Sequence, residues 1–175
     1  MPTPPTRAEA LATLEAGRSA IEDLLARLSD ADLTRPATIG GGDWSARDLI
    51  GHLAFWEELA VEALAAWRGG RRSAADGLIG DAGVDAANAR DQASTAAEPL
   101  ERVRARAAAA QAAVRAAIES ASDEEWRAPL TRPDGRTATL AERLGGILGA
   151  PGQPFGHAFA HLDDLRAYAR ALERG

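Results

Sequence analysis

Two histidines stand four residues apart near the end of the chain, in Pro154-Phe155-Gly156-His157-Ala158-Phe159-Ala160-His161-Leu162-Asp163-Asp164, and the sequence holds only one other, His52. Residues four apart on an α-helix lie about one turn up the same face, so His157 and His161 can aim their imidazoles at one point. Neutral imidazole suits zinc, nickel, iron and copper, and holding a first-row divalent ion well takes at least three donors. His52, in Gly51-His52-Leu53-Ala54-Phe55, completes the count if its helix faces the last one. An HxxxH pair can arise by chance, and a single mid-helix histidine can simply bond a backbone carbonyl. Every histidine of this chain, however, falls on just two helices.

Three nitrogen ligands leave coordination positions open. Closed structural sites usually have four protein ligands, whereas three ligands plus water is the pattern of sites that do chemistry. A metal held this way can lower the pKa of a bound water or thiol or polarise a carbonyl, which favours hydrolysis or thiol addition. Metal-bound histidines usually give their other ring N–H to a carboxylate or carbonyl. Asp48, one turn before His52, and Asp164, three residues after His161, are therefore candidates for that partner or for a general base. Asp48 also has the spacing of a helix cap, and Asp164 could equally be a solvated surface charge. Tyr168, one turn further, could donate to a substrate oxygen or pack in the core.

Positioning these side chains takes helices. The first is expected from Thr6, whose Thr6-Arg7-Ala8-Glu9 has capping-box spacing, to about residue 28, with Leu11, Leu14, Ile21, Leu24, Leu25 and Leu28 near helical period. Pro36 and Gly40-Gly41-Gly42 make the next stretch a loop. The second helix opens at Ser45-Ala46-Arg47-Asp48 and runs to about Trp67, before Gly69-Gly70. Residues 69–97 are rich in glycine, alanine and polar types, with a short helix expected near Val84 to Arg90. The third helix starts with Pro99 in its first turn and continues to about Ser120. A Trp126-containing connection and the turn Pro133-Asp134-Gly135 follow, then a short helix capped by Thr139-Leu140-Ala141-Glu142, with Gly145-Gly146, Gly149 and Pro151-Gly152 breaking the chain. The last helix is expected from about Pro154 to Arg174.

Four long apolar-striped helices with connections of these lengths fit an all-α four-helix bundle, with a long crossover between the second and third helices. A length of 175 residues suits one domain with its own core. The 46% apolar content is largely alanine, with few aromatic residues to favour sheet. The absence of cysteine excludes disulfides, thiolate ligands and a cysteine nucleophile, so any metal must be held by His, Asp or Glu. No N-terminal segment joins basic residues to an apolar run, and no stretch approaches the roughly 20 apolar residues of a membrane span, so a soluble cytoplasmic protein is expected. A net charge of −6 argues against a general affinity for nucleic acid. The glycine-rich stretches at 40–42 and 145–149 lack the strand and lysine context of phosphate-binding loops.

The segment Trp44-Ser45-Ala46-Arg47-Asp48-Leu49-Ile50-Gly51-His52-Leu53-Ala54-Phe55-Trp56-Glu57 resembles the second-helix signature of the DinB/YfiT-like superfamily, where a tryptophan precedes a helix reading roughly D-L-x-x-H-L-x-x-W-E. The HxxxH of the last helix is similar to that family's second element. The resemblance implies a bundle of up-down-down-up style, often a homodimer, with a divalent metal held by one histidine of the second helix and two residues of the last. Carried over residue by residue, the ligands are His52, His157 and His161. Zinc or nickel is the expected ion and a small molecule the expected substrate; the resemblance brings in thiol-dependent transferases and isomerases that use mycothiol, bacillithiol or glutathione, together with hydrolases. A related branch gives self-resistance to DNA-damaging metabolites. The glycine- and proline-rich break at 145–154 departs from the family pattern and bears on the open side of the metal. The mycothiol-dependent maleylpyruvate isomerases also tend to carry a second domain, which this chain is expected to lack.

Two classes of function stay open. One is a metal-dependent hydrolase or thiol-dependent transferase or isomerase. The other is a non-catalytic self-resistance or stress protein that binds a small molecule in a pocket lined by Trp44, Trp56, Trp67 or Trp126, residues whose helical spacing also suits a core. A helical interaction module, in which the histidines affect only stability, is a third reading.

Overall fold

Capping chemistry sets where the site's helices begin. The computed structural model describes residues 3–40, 43–78, 80–131 and 135–174; Gly41-Gly42 of the glycine run and Pro133-Asp134 of the expected turn lie outside them. Thr6 caps α1 (Arg7–Leu25), Ser45 caps α3 (Ala46–Arg68) and Thr139 caps α7 (Leu140–Ile147), each in a reciprocal capping box with Glu9, Asp48 and Glu142 respectively. Such a cap satisfies two amides that the helix itself cannot, and is worth about 1 kcal/mol.

The bundle follows the expected order, with additions. Between α1 and α3 lies a one-turn helix, α2 (Asp30–Thr34), capped by Ser29. The crossover after α3 carries a 3₁₀ turn at Ala75–Gly77 and a helix, α4 (Gly80–Ala96), far longer than the Val84 to Arg90 segment expected. Its composition is mostly alanine and polar residues, so it has little apolar periodicity; packing against α3 holds it in place. α5 (Leu100–Glu119) begins one residue after Pro99, which serves as its N-cap residue. A short helix, α6 (Asp123–Arg127), and an antiparallel hairpin of β1 (Pro129–Thr131) and β2 (Thr137–Thr139) lead into α7. Gly145 and Gly146 lie inside α7, so the chain break begins only at Leu148. The last helix is divided into α8 (His157–Ala160) and α9 (Leu162–Glu173), with His161 at the joint.

Helix α3 is the hub. Fifteen of its 23 residues are buried, and its faces feed three apolar clusters. Ala60 and Leu64 join Val114, Ile118 and Trp126; Leu49 and Leu53 join Ile21, Leu162 and Leu165; Ile50 and Ala54 join Val103 and Ala107. A helix buried over most of its surface sits in a core, which explains how α3 can carry the buried His52. No helix among the described residues is long and apolar enough to cross a membrane.

One glycine in α3 is required by close approach. A Cβ at Gly51 would lie 2.5 Å from the Thr95 side chain on α4, and Thr95 is fully buried. Gly51→Ala should therefore cost about 1–3 kcal/mol from overpacking, despite alanine's better helix propensity. Adding Thr95→Ala should recover most of that loss in urea unfolding. A Gly51→Ala single variant as stable as the wild type would contradict this packing of α4 on α3.

Candidate metal centre

His52 projects from α3 between two indoles, Trp44 at 4.9 Å and Trp56 at 6.3 Å between ring centroids, both edge-on. Opposite it, the segment from Leu148 to Gly156 delivers His157. Phe155 is buried and stacked on Trp126 at 5.9 Å, with a backbone φ of 61° that a bulky residue adopts only when its surroundings hold it there. The His157 amide then donates to the Leu148 carbonyl at 3.0 Å, closing the loop beneath the ligand helix. Gly149 makes that closure feasible, since a Cβ there would lie 2.2 Å from the Gly145 carbonyl oxygen. The joint between α8 and α9 swings His161 back onto the same spot.

The three imidazoles converge through their Nε2 atoms. His52 Nε2 is 3.0 Å from His157 Nε2, which is 3.2 Å from His161 Nε2. Nitrogens bound to one ion at about 2.0–2.1 Å sit roughly 2.9–3.4 Å apart for bond angles between 90° and tetrahedral, so these two spacings fit a shared cation, and all three donor atoms lie within 4.8 Å of one another. The donor set fits as well. Each Nε2 has either one hydrogen or one lone pair, so His157 Nε2 can form a good hydrogen bond with only one of its two neighbours. A cation accepts all three lone pairs at once. Among the described residues these three form the only group of this kind.

Burial keeps the rings neutral. The His52 pKa is pushed down to about 2, chiefly by burial and then by the charges of His157 and His161. His157 falls to about 3 through burial and then His161. His161 is lowered by burial, with Asp164 acting in the opposite sense. Neutral imidazole is the form that ligates metal.

The cluster opens onto a cleft of about 550 Å³. Trp56 and Trp67 form part of its wall, with Ile147, Asn88 and Arg143. Trp56 donates its indole N–H to Asn88 Oδ1 at 3.1 Å, and Trp67 donates to Asp76 Oδ2 at 3.0 Å. Asp76 also pairs with Arg143, whose guanidinium lies 3.6 Å above the Trp67 ring.

The other sequence candidates fall elsewhere. Asp48 is buried in the capping box of α3, its Oδ2 accepting from the Ser45 amide at 2.8 Å and hydroxyl at 2.7 Å. Its Oδ1 and the His52 Nδ1 one turn on are both buried without a hydrogen bond. Asp164 is exposed, beside Gly40 and near His161. Tyr168 is a core residue that donates to the Asp32 carbonyl at 2.8 Å. Trp126 is core, and Trp44 packs with the cluster beneath His52 rather than lining the cleft. The sequence reading missed Asp76, Asn88 and Arg143. Arg143 did leave a signal, because it interrupts the apolar stripe Leu140, Leu144, Ile147 of a short helix.

The sequence model for the DinB superfamily matches residues 13–149, which include His52 and α3. The chain belongs to the DinB superfamily. The match ends before His157, so the ligand pair of the last helix lies outside it. No curated protein matches in sequence. The structure of an uncharacterised protein from Escherichia coli UTI89 superposes with a TM-score of 0.78 at 18% identity, covering 98% of this chain and 96% of that one. The mycothiol-dependent maleylpyruvate isomerase superposes with a TM-score of 0.69 at 18% identity, covering 94% of this chain. A histidine-to-alanine mutant of that isomerase gives 0.66 at 19%. The chain spans 63% of the isomerase's length. At these identities the likeness establishes the shared fold.

Because His52 and His157 are held neutral, the unfolded chain, with histidine pKa near 6.5, binds more protons than the folded one as pH falls below that value. Metal-free protein should therefore lose stability between about pH 7 and 5. Glu57, whose pKa burial pushes up to about 7, acts in the opposite direction over this range. The readout is thus the difference between wild type and His52→Gln, whose melting temperature should fall less. Identical pH profiles would contradict a buried neutral His52.

Proposed function

We propose that this DinB-superfamily protein is a metal-dependent enzyme acting on a small molecule, with a low-molecular-weight thiol as co-reactant, in a transferase or isomerase reaction. The observation carrying the reading is the convergence of three neutral Nε2 atoms, by way of His52, His157 and His161, on the wall of a roughly 550 Å³ cleft. There a divalent ion, which we take to be zinc or nickel among the metals that imidazole suits, would polarise a carbonyl and lower the pKa of an adjacent thiol or water.

The chain's own residues supply the rest. Trp56 and Trp67 give the wall apolar surface against which a bound organic molecule could pack. Asp164 lies near His161 but outside the residues that line the cleft, so it could serve as proton acceptor only through His161 or solvent. Asp48 commits Oδ2 to the helix cap; its Oδ1 and the His52 Nδ1 one turn on are both buried without a hydrogen bond, and a contact between them on metal binding would fix the tautomer with Nε2 free. The fold shared with a mycothiol-dependent isomerase supports thiol chemistry over hydrolysis. The two tryptophans equally suit a protein that sequesters a small molecule, and turnover separates the two.

The test offers zinc-loaded and nickel-loaded protein mycothiol, bacillithiol or glutathione in turn, with a panel of electrophiles and cis-enediones. The expected result is thiol-dependent turnover above the rate with thiol alone, falling about 100-fold or more in His52→Ala. Binding of panel compounds without turnover by any thiol would contradict the enzyme and favour sequestration.

A further inference from the structure

Arg143 shares the cleft with the histidines, yet its side chain is only 6% exposed. A buried guanidinium is costly unless paired, and here the pairing is partial. One nitrogen, Nη2, meets Asp76, and the plane rests on Trp67. Asp76 is itself fixed, since its Oδ2 accepts from Trp67 Nε1 at 3.0 Å and the Ser73 amide at 2.9 Å. Among the described residues, Nε and Nη1 of Arg143 have no hydrogen-bond partner. A guanidinium carries five N–H donors in one plane, a geometry that matches a carboxylate. The structure thus holds a preorganised fork, oriented by Asp76 and Trp67, with donors to spare.

Charge selects the ligand. Asp76 already occupies one edge of the Arg143 guanidinium and offsets part of its charge, so the free edge matches the two oxygens of one carboxylate better than the higher charge of a phosphate dianion. A monoanion with an apolar body suits the site better, its charge on Arg143 and its body against Trp56, Trp67 and Ile147. We propose that Arg143 is a specificity residue that receives a substrate carboxylate, making small organic monocarboxylates the substrate class of this cleft. The inference rests on the cleft being the reaction site.

Benzoate and its neutral isostere benzamide are the probes, titrated by tryptophan fluorescence into zinc-loaded and zinc-free protein, with zinc content measured on the same samples. Benzoate should bind wild type about tenfold tighter than benzamide in both forms, since a hydrogen bond to a charged group is worth about that factor. Arg143→Gln should abolish the preference while leaving benzamide affinity unchanged. Arg143→Lys, which keeps the charge and loses the fork, should retain part of the preference and carries the test should the glutamine variant unfold. A purely structural Arg143 would instead lower the melting temperature without changing the preference, which would overturn the proposal, as would failure of benzoate to saturate wild type. A preference seen only with zinc and surviving Arg143→Gln would place the carboxylate on the metal, overturning this inference while leaving the metalloenzyme reading intact. An Arg143-dependent preference in a protein that takes up no zinc would do the reverse.

Discussion

Three ring nitrogens with one lone pair or one hydrogen each cannot satisfy one another when they meet at a point, and the arrangement around His157 Nε2 depends on that constraint. Two neighbours approach it at 3.0 and 3.2 Å, and only one can be a proper hydrogen bond. His52 is buried and the other two rings are partly so, and this burial holds the imidazoles neutral. A cation resolves the conflict by accepting three lone pairs together. Much of the surrounding structure serves to keep the three rings in place.

That service comes from very different elements. His52 is held by the most regular part of the molecule, a helix packed on nearly every side, with Gly51 letting α4 come close beside it. His157 and His161 depend on irregular backbone. A loop pinned by Phe155 in a positive-φ conformation and a joint between two short helical segments bring their Nε2 atoms together. The cleft beyond has its own ordering, in which Asp76 ties Trp67 and Arg143 into one wall. Burial lowers the pKa of the imidazoles, whereas the hydrogen bonds Asp76 receives outweigh its desolvation and hold its carboxyl below the usual range.

Features written in local chemistry were legible in the sequence. The capping boxes at Thr6, Ser45 and Thr139 fall where their spacing put them, and the apolar periods of α1, α3 and α5 marked the bundle. The scarcity of the histidines and their spacing pointed to a meeting of all three, although the last helix is broken at His161 and irregular backbone, not one continuous helix face, brings the pair together. What escaped was set by tertiary contact. α4 lacks an apolar stripe, so only its packing on α3 shows why it extends from Gly80 to Ala96. Gly145 and Gly146 read as breakers yet remain helical, where the absence of a Cβ on Gly145 lets Pro154 and Phe155 pack against α7. Asp76 and Arg143 lie far apart in sequence, and nothing local joins them.

The most direct test of the central claim is the metal content of protein purified without a histidine tag, beside a His157→Ala, His161→Ala variant checked for helicity by circular dichroism. About one divalent ion per chain, lost from a variant that remains helical, is the predicted result. No metal in either protein, with no uptake of added zinc or nickel, would contradict it.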